Sequence, residues 1–133
     1  MPPRLQLTSI TIGAPDPRAL ATFYALLLDT EVTHTDPPRP GRPPEDGWAQ
    51  LRTSGDNGTV TLNFEYEEHY TAPSWPSEPD RQQIMEHLDI YVQDLDAAVD
   101  WAVRCGARLA DFQPQPDVRV LFDPAGHPFC LFT

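Results

Sequence analysis

An imidazole and a carboxylate lie two residues apart in the segment HLDIYV, at His87 and Asp89. The apolar residues Leu88, Ile90 and Val92 alternate with them, which is typical of a strand with one face packed on apolar neighbours. His87 and Asp89 then share the opposite face, where they either form a simple hydrogen-bonded pair or act together as a general base. A carboxylate buried on that face needs a partner or a raised pKa.

A thiol lies in the final apolar segment, DPAGHPFCLF, at Cys130. Its neighbours Phe129 and Leu131 favour packing, because a thiol in apolar surroundings behaves as a small hydrophobe. Chemistry at the sulfur is the alternative, but no nearby cation in the sequence lowers its pKa. With Cys105 as the only other cysteine, we expect no disulfide scaffold and two buried free thiols in a reducing compartment. His127, in the turn before the strand, is interpreted as structural.

Length and composition indicate one soluble globular domain, residues 1–133. Hydrophobic residues make up 40% of the chain and charged residues 22%. The formal net charge of −11 argues against nucleic acid or an anionic membrane as partner, because phosphate binding needs a cationic face. No apolar run approaches the roughly 18–20 residues that span a membrane. The start, MPPRLQLTS, lacks the apolar core of a signal peptide, so we predict a cytoplasmic protein.

The elements that must position these groups occur twice. The segments SITIGAPDPRALATFYALLL and HLDIYVQDLDAAVDWAVRCG align without a gap. Each has an alternating strand, an N-capping aspartate (Asp16 or Asp94) and a helical pattern. Three further strands are predicted in each half: 31–35, 48–53 and 59–66 in the first, and 108–112, 118–122 and 128–132 in the second. The chain therefore reads as two βαβββ modules, about 5–66 and 84–133, with a linker at 67–83.

Two proline-rich stretches are left with open interpretations. DPPRPGRPPED, residues 36–46, is either a mobile lid or a surface excursion. TAPSWPSEP, residues 71–79, contains Trp75, which is either an interface or pocket wall or part of a linker pinned to its own domain. His34 and His69 lie in loops and show no ligand spacing.

The doubled βαβββ unit, with its ending DPAGHPFCLF, resembles the vicinal oxygen chelate superfamily of glyoxalase I, bleomycin-resistance proteins and extradiol dioxygenases. Within it, the chain looks like the actinobacterial glyoxalase-like proteins. The resemblance covers nearly the whole chain. It implies an α+β fold in which two βαβββ modules form a cupped mixed sheet around a cavity.

The resemblance also implies positions for metal ligands, at the start of the first strand and in the last strand of each module. These positions hold Ser9, Glu65 (or Asn63 on the same face), His87 and Cys130. A neutral serine hydroxyl is a poor ligand, and hard metals prefer oxygen and imidazole to sulfur. We therefore expect no metal. The alternative is a divalent zinc, nickel, manganese or iron ion bound by Glu65, His87 and Cys130, since zinc accepts mixed ligands.

Two functions follow from the resemblance. The preferred one is a metal-independent small-molecule-binding protein, a homodimer as in drug-sequestering relatives, with its cavity lined by polar residues of both modules. The expected pocket residues are Ser9, Thr11, Asn63, Glu65, His87, Asp89, Tyr91 and Cys130. The alternative is a metal-dependent glyoxalase-type lyase or isomerase, or a dioxygenase-like enzyme, with His87, Asp89 or Glu65 as catalytic candidates. A structural or regulatory partner protein is the third and least supported possibility.

Overall fold

Each half of the sequence repeat folds into a βαβββ module in the computed structural model, which describes residues 1–133. The first module consists of β1 (Ile10–Ala14), α1 (Pro17–Leu27), β2 (Val32–Asp36), β3 (Trp48–Gly55) and β4 (Gly58–Tyr66). The second consists of β5 (Asp89–Tyr91), α2 (Leu95–Cys105), β6 (Arg108–Leu109), β7 (Val118–Phe122) and β8 (Pro128–Phe132). The chain divides into units 1–68 and 69–133. The predicted α+β class and the doubled module are confirmed.

Both helices begin at the predicted aspartates. The Asp16 carboxylate accepts a hydrogen bond from the backbone N–H of Ala19 at 3.1 Å, and Asp94 accepts from Ala97 at 3.0 Å. These bonds satisfy N–H groups that have no partner within the first helical turn. Neither helix has the length and apolar character that crossing a membrane requires.

The first module forms a mixed sheet in the order β1-β4-β3-β2. Strands β1 and β4 are parallel and the other pairs are antiparallel. One face is apolar and packs on α1, where Tyr24 stacks on Phe64 with ring centroids 5.7 Å apart. Its buried side chains include Leu51 and Leu62. Because side chains alternate along a strand, the polar residues are left on the other face.

The second module repeats this arrangement in the order β5-β8-β7-β6. Leu121, Phe129 and Leu131 are buried on one face of the sheet. A second apolar cluster of Ala110, Val120 and Phe122 has Trp75 and Cys130 packed against it. The Trp75 indole N–H donates to the Phe112 carbonyl oxygen at 3.3 Å. The segment around Trp75 is therefore pinned to its own module.

Two predicted strands are shorter in the structure. Strand β5 begins at Asp89, so His87 precedes it. Strand β6 ends at Leu109, because the Gln113 side-chain amide takes the place of further strand pairing with β7. The amide nitrogen of Gln113 donates to the carbonyl oxygens of Ala110 and Val120, and its amide oxygen accepts from the backbone N–H of Val120.

The sequence predicted two fully buried free thiols, and the prediction of full burial was wrong. Both cysteines are free, but each is only partly buried.

Candidate functional site

A hydrogen-bonded polar floor covers part of the open face of the first sheet. The Asn63 amide nitrogen donates to the hydroxyl oxygen of Ser9 at 3.0 Å and to that of Thr11 at 3.4 Å. Its amide oxygen accepts from the Gln50 side chain at 2.9 Å. Asn63 is buried and uses both ends of its amide within this network. Four of the expected pocket residues thus lie in this module: Ser9, Thr11 and Asn63 in the network, and Glu65 on the same face of the sheet.

Three side chains form a row beside this floor. In the strand register, Asp36 of β2 lies opposite Trp48 of β3, and Trp48 lies opposite Glu65 of β4. Residues directly opposite each other in antiparallel strands have side chains on the same face. The row ends at β1, where the partner of Glu65 is Gly13 and no side chain projects. An indole therefore lies between two carboxylates.

An irregularity in β2 creates this row. The pairing shifts between Val32, opposite Leu51, and His34, opposite Gln50. One extra residue in a strand moves every later side chain to the other face. The Thr33 hydroxyl donates to the Gln50 carbonyl oxygen at 3.0 Å and so stabilises the bulge. Without it, Asp36 would not share a face with Trp48.

A cleft of about 310 Å³ opens over the row. It is lined by Asp36, Pro37, Arg39, Gly47, Trp48, Glu65 and Tyr66. Of these residues, only Glu65 belongs to the set expected from the sequence. Trp48 provides an aromatic wall, and His34 contacts its ring edge-on with centroids 6.2 Å apart. Tyr66 also lines the cleft, and the Arg42 guanidinium lies 5.7 Å from the centroid of its ring. A concave site with aromatic walls and a few polar groups is typical of small-molecule binding.

A buried carboxylate holds the loop that forms one wall of the cleft. Asp46 is completely buried and accepts from the Arg39 guanidinium at 2.7 and 3.0 Å and from the Arg39 backbone N–H at 2.8 Å. Arg42 lies 3.5 Å from the same carboxylate. The hydrogen bonds from Arg39 hold the pKa of Asp46 well below its usual range. The same pairing raises the pKa of Arg39.

The same loop is attached to α1 by one arginine. The Arg18 guanidinium donates to the backbone carbonyl oxygens of Asp36, Pro44 and Asp46 at 2.9, 2.6 and 2.7 Å. Gly47 makes room for it: its φ is +137°, and a Cβ there would clash with the guanidinium. Residues 36–47 are therefore anchored at both ends and through their backbone. Neither Arg18 nor Asp46 stood out in the sequence.

The second module brings together the other predicted residues. Nδ1 of His87 lies 3.3 Å from Oδ1 of Asp89. Asp89 is opposite Cys130 in the β5–β8 register, and ligand atoms of the three residues lie within 4.8 Å of one another. Tyr91, on the same face of β5, contacts Phe132 with ring centroids 5.8 Å apart. The Asp89 side chain is 58% exposed, so it is not the buried carboxylate considered from the sequence.

The Cys130 thiol is held in its protonated form. Burial raises its pKa, and the negative charge of Asp89 and a hydrogen bond to that carboxylate raise it further. A protonated thiol is a poor nucleophile. The cluster alone therefore does not supply an activated cysteine.

Replacing Asp89 with Asn should activate this thiol. Loss of the negative charge lowers the pKa of Cys130, and more thiolate is present at pH 7.5. We expect iodoacetamide to alkylate Cys130 about three- to tenfold faster in Asp89→Asn than in the parent, each in a Cys105→Ser background. Mass spectrometry of the modified peptide gives the rate. An unchanged rate, with the fold intact by circular dichroism, would contradict this effect of Asp89.

A buried pair supports the start of β8. Nδ1 of His127 donates to Asp123 at 2.8 Å, and the side chains are 10% and 1% exposed. Tyr70 packs beside it, with ring centroids of Tyr70 and His127 5.2 Å apart. Burial, with the charges of Asp123 and Glu86, keeps the Tyr70 hydroxyl protonated by raising its pKa. Burial likewise raises the pKa of Glu86. His127 is thus structural, as interpreted from the sequence.

Two of the four implied ligand positions, Ser9 and Cys130, hold donor atoms that do not suit a hard divalent metal, whereas Glu65 and His87 do. Ser9 carries a neutral hydroxyl that already accepts from Asn63. The last position holds the sulfur of Cys130, whereas manganese and similar ions prefer oxygen and imidazole. His87, Asp89 and Cys130 offer nitrogen, oxygen and sulfur, a combination that only a softer ion such as zinc accepts readily.

Comparison with protein families gives one match: a family described as a glyoxalase-like domain matches residues 9–132. Among curated proteins, none matches the sequence.

Several solved structures share the fold. FosX, a fosfomycin resistance protein of Listeria monocytogenes, was solved as a variant complexed with Mn(II) and dihydroxypropylphosphonic acid. It is 12% identical with a TM-score of 0.68, covering 96% of this chain and 90% of its own. A glyoxalase family protein of Enterococcus faecalis is 20% identical with a TM-score of 0.60, covering 96% and 97%. FosX of Mesorhizobium loti is 13% identical with a TM-score of 0.60, covering 96% and 90%. At these identities the likeness shows the fold alone.

Proposed function

The chain belongs to the glyoxalase-like domain family, and from this premise we propose that it binds a small organic molecule without a catalytic metal. The binding site is the cleft over the open face of the first sheet. The fold by itself does not give a function, so the proposal depends on the site.

The cleft is the observation that carries the proposal. Its volume of about 310 Å³ lies at the lower end of the range for small-molecule sites. Trp48 and Tyr66 offer apolar area, and Asp36 and Glu65 offer acceptors at the rim. The wall is preorganised, because Arg18 and Asp46 fix the loop before any ligand arrives. A preformed wall reduces the entropy lost on binding.

Metal independence is supported by the donor atoms described above. In the first module, the Ser9 hydroxyl and the Asn63 amide are engaged with each other. In the second module, the last implied position offers the sulfur of Cys130 in place of a carboxylate oxygen. The Mn(II) found with FosX requires harder ligands than these.

Ligand binding should be independent of metal and dependent on Trp48. A thermal-shift screen of aromatic and amine-containing small molecules, run on protein dialysed against EDTA, is expected to give hits. Calorimetry should show the same affinity for these hits after addition of Zn²⁺ or Mn²⁺. Trp48→Ala should weaken them about tenfold or more, because an aromatic anchor is lost. Trp101→Ala, on α2 of the second module, is the matched control.

The hypothesis would be abandoned if no hit bound the metal-free protein, or if Trp48→Ala and Trp101→Ala bound equally well. The homodimer, the cytoplasmic location and the actinobacterial subgroup remain predictions. Light scattering tests the first of them.

A metal-dependent lyase, isomerase or dioxygenase-like enzyme is the second candidate, and one observation favours it. Ligand atoms of His87, Asp89 and Cys130 lie within 4.8 Å of one another. If calorimetry showed stoichiometric zinc binding that His87→Ala and Cys130→Ser abolished, this candidate would replace the first. Those residues would then hold the ion, which would supply Lewis acidity.

A further inference from the structure

Two neighbouring rows on the open face of the first sheet differ in how their polar groups are used. Gln50, Asn63 and Thr11 lie in one row and are hydrogen-bonded to one another. In the next row, the carboxylates of Asp36 and Glu65 form no hydrogen bond and no ion pair. The polar groups of the first row are therefore satisfied by one another. The second row has two carboxylates in the cleft whose oxygens have no hydrogen-bond donor from the protein.

The spacing of this second row suits a cation. Neighbouring strands are about 4.8 Å apart, so one carboxylate flanks the Trp48 indole on each side. A cation within about 6 Å of an aromatic ring is attracted to its face. An ammonium group placed over Trp48 would therefore interact with the ring and with Asp36 and Glu65 together. Gly13 leaves the far side of Glu65 without a side chain.

The positive groups near the cleft are already occupied. Arg39 lines it, but its guanidinium makes two bonds to the buried Asp46 carboxylate. Arg42 lies between Asp46 and Glu68 and covers one face of the Tyr66 ring. Arg18 is directed at three backbone carbonyl oxygens. The charge of Arg39 also acts on Glu65, but none of these three guanidinium groups donates a hydrogen bond to the carboxylate of Asp36 or Glu65. The oxygens of these two carboxylates are therefore left for a ligand.

We infer that the cleft selects organic cations, with an ammonium or amidinium group held over Trp48 between Asp36 and Glu65 and an apolar body against Tyr66. This inference rests on the proposed function and specifies its ligand class. The matched probes are benzylamine, benzyl alcohol and benzoate, which share one ring and differ in charge at pH 7. Binding to the metal-free protein is followed by the indole N–H resonance of Trp48, assigned with Trp48→Phe.

Benzylamine is expected to bind at least tenfold more tightly than either of the other two probes. Asp36→Asn and Glu65→Gln should each weaken it about three- to fivefold, the range for exposed charge pairs. Raising the salt concentration should weaken it further, because exposed charges are screened. Asp100→Asn, on α2, removes the same formal charge outside the cleft and should leave the affinity unchanged.

The other outcomes separate the inference from the proposed function. Equal binding of benzyl alcohol, or tighter binding of benzoate, would overturn cation selection and leave small-molecule binding standing. The same conclusion would follow if neither Asp36→Asn nor Glu65→Gln reduced the affinity for benzylamine. If benzylamine did not bind but the thermal-shift screen gave neutral ligands, the inference of cation selection would be wrong and the proposed function would stand. Failure of every small molecule would remove both.

Discussion

Replacing Asp123 with Ala should lower the free energy of unfolding by about 3–4 kcal/mol. One carboxylate oxygen accepts from the backbone N–H groups of Ala125 and His127, each at 3.0 Å. The other lies 2.8 Å from Nδ1 of His127. Alanine removes both acceptor oxygens and with them the bonds from three donors, of which the two of His127 are buried, and this is the costly direction of such a change. Urea unfolding followed by far-ultraviolet circular dichroism measures the effect.

Two further variants show whether the effect belongs to these bonds. Asp123→Asn keeps an oxygen acceptor for the backbone N–H groups and loses the charged bond to His127, so we expect a loss of about 1–2 kcal/mol. Asp117→Ala changes an exposed aspartate in the same module and should cost less than about 0.5 kcal/mol. If Asp123→Ala were no more destabilising than Asp117→Ala, the turn would not depend on this carboxylate.

Replacing Asp46 with Ala should reduce ligand affinity more than tenfold, and should lower the melting temperature by about 5 °C or more. The variant loses three hydrogen bonds from Arg39 and the contact with Arg42. Residues 36–47 then keep the bonds from Arg18 to their backbone but lose the anchor at Arg39, so the wall of the cleft is held less firmly. Calorimetry with a hit from the screen and differential scanning calorimetry measure the two effects.

The acid dependence gives a second test of Asp46. Its pKa is depressed in the folded protein, so its stabilising effect is complete above the unfolded-state value of about 4. The effect is lost as pH falls through the lower, folded-state pKa. The stability difference between the parent and Asp46→Asn should therefore be constant from pH 5 to 8 and narrow below about pH 4. A difference that disappeared near neutral pH would contradict this origin.

Control variants separate loop anchoring from charge. Glu45→Ala removes an exposed carboxylate from the same loop and should leave both affinity and melting temperature nearly unchanged. Arg18→Met should resemble Asp46→Ala in affinity, because it removes three bonds to the loop backbone without touching the cleft lining. Equal affinities for the parent and Asp46→Ala would show that the cleft wall is not the binding element.

Local patterns in the sequence were sufficient for the modules and part of the site. Period-2 and period-3.6 patterns identified the strands and helices, and Asp16 and Asp94 marked both helix starts, because these signals act over a few residues. The same alternation placed His87 and Asp89 on one face and Asn63 and Glu65 on another. It overestimated β6, since a side-chain amide from Gln113 takes over the ladder there.

The sequence by itself thus determined the doubled βαβββ fold and which residues share a strand face. Only the tertiary structure decided that Asp36 and Trp48 join Glu65 in a row, because a bulge near Thr33 reverses the faces of β2. It also decided that the proline-rich loop is an anchored wall, since Arg18 binds carbonyl oxygens up to 28 residues away. Strand register and contacts to backbone carbonyl oxygens depend only weakly on residue type, so they cannot be predicted from the sequence. The cleft was not predicted for this reason.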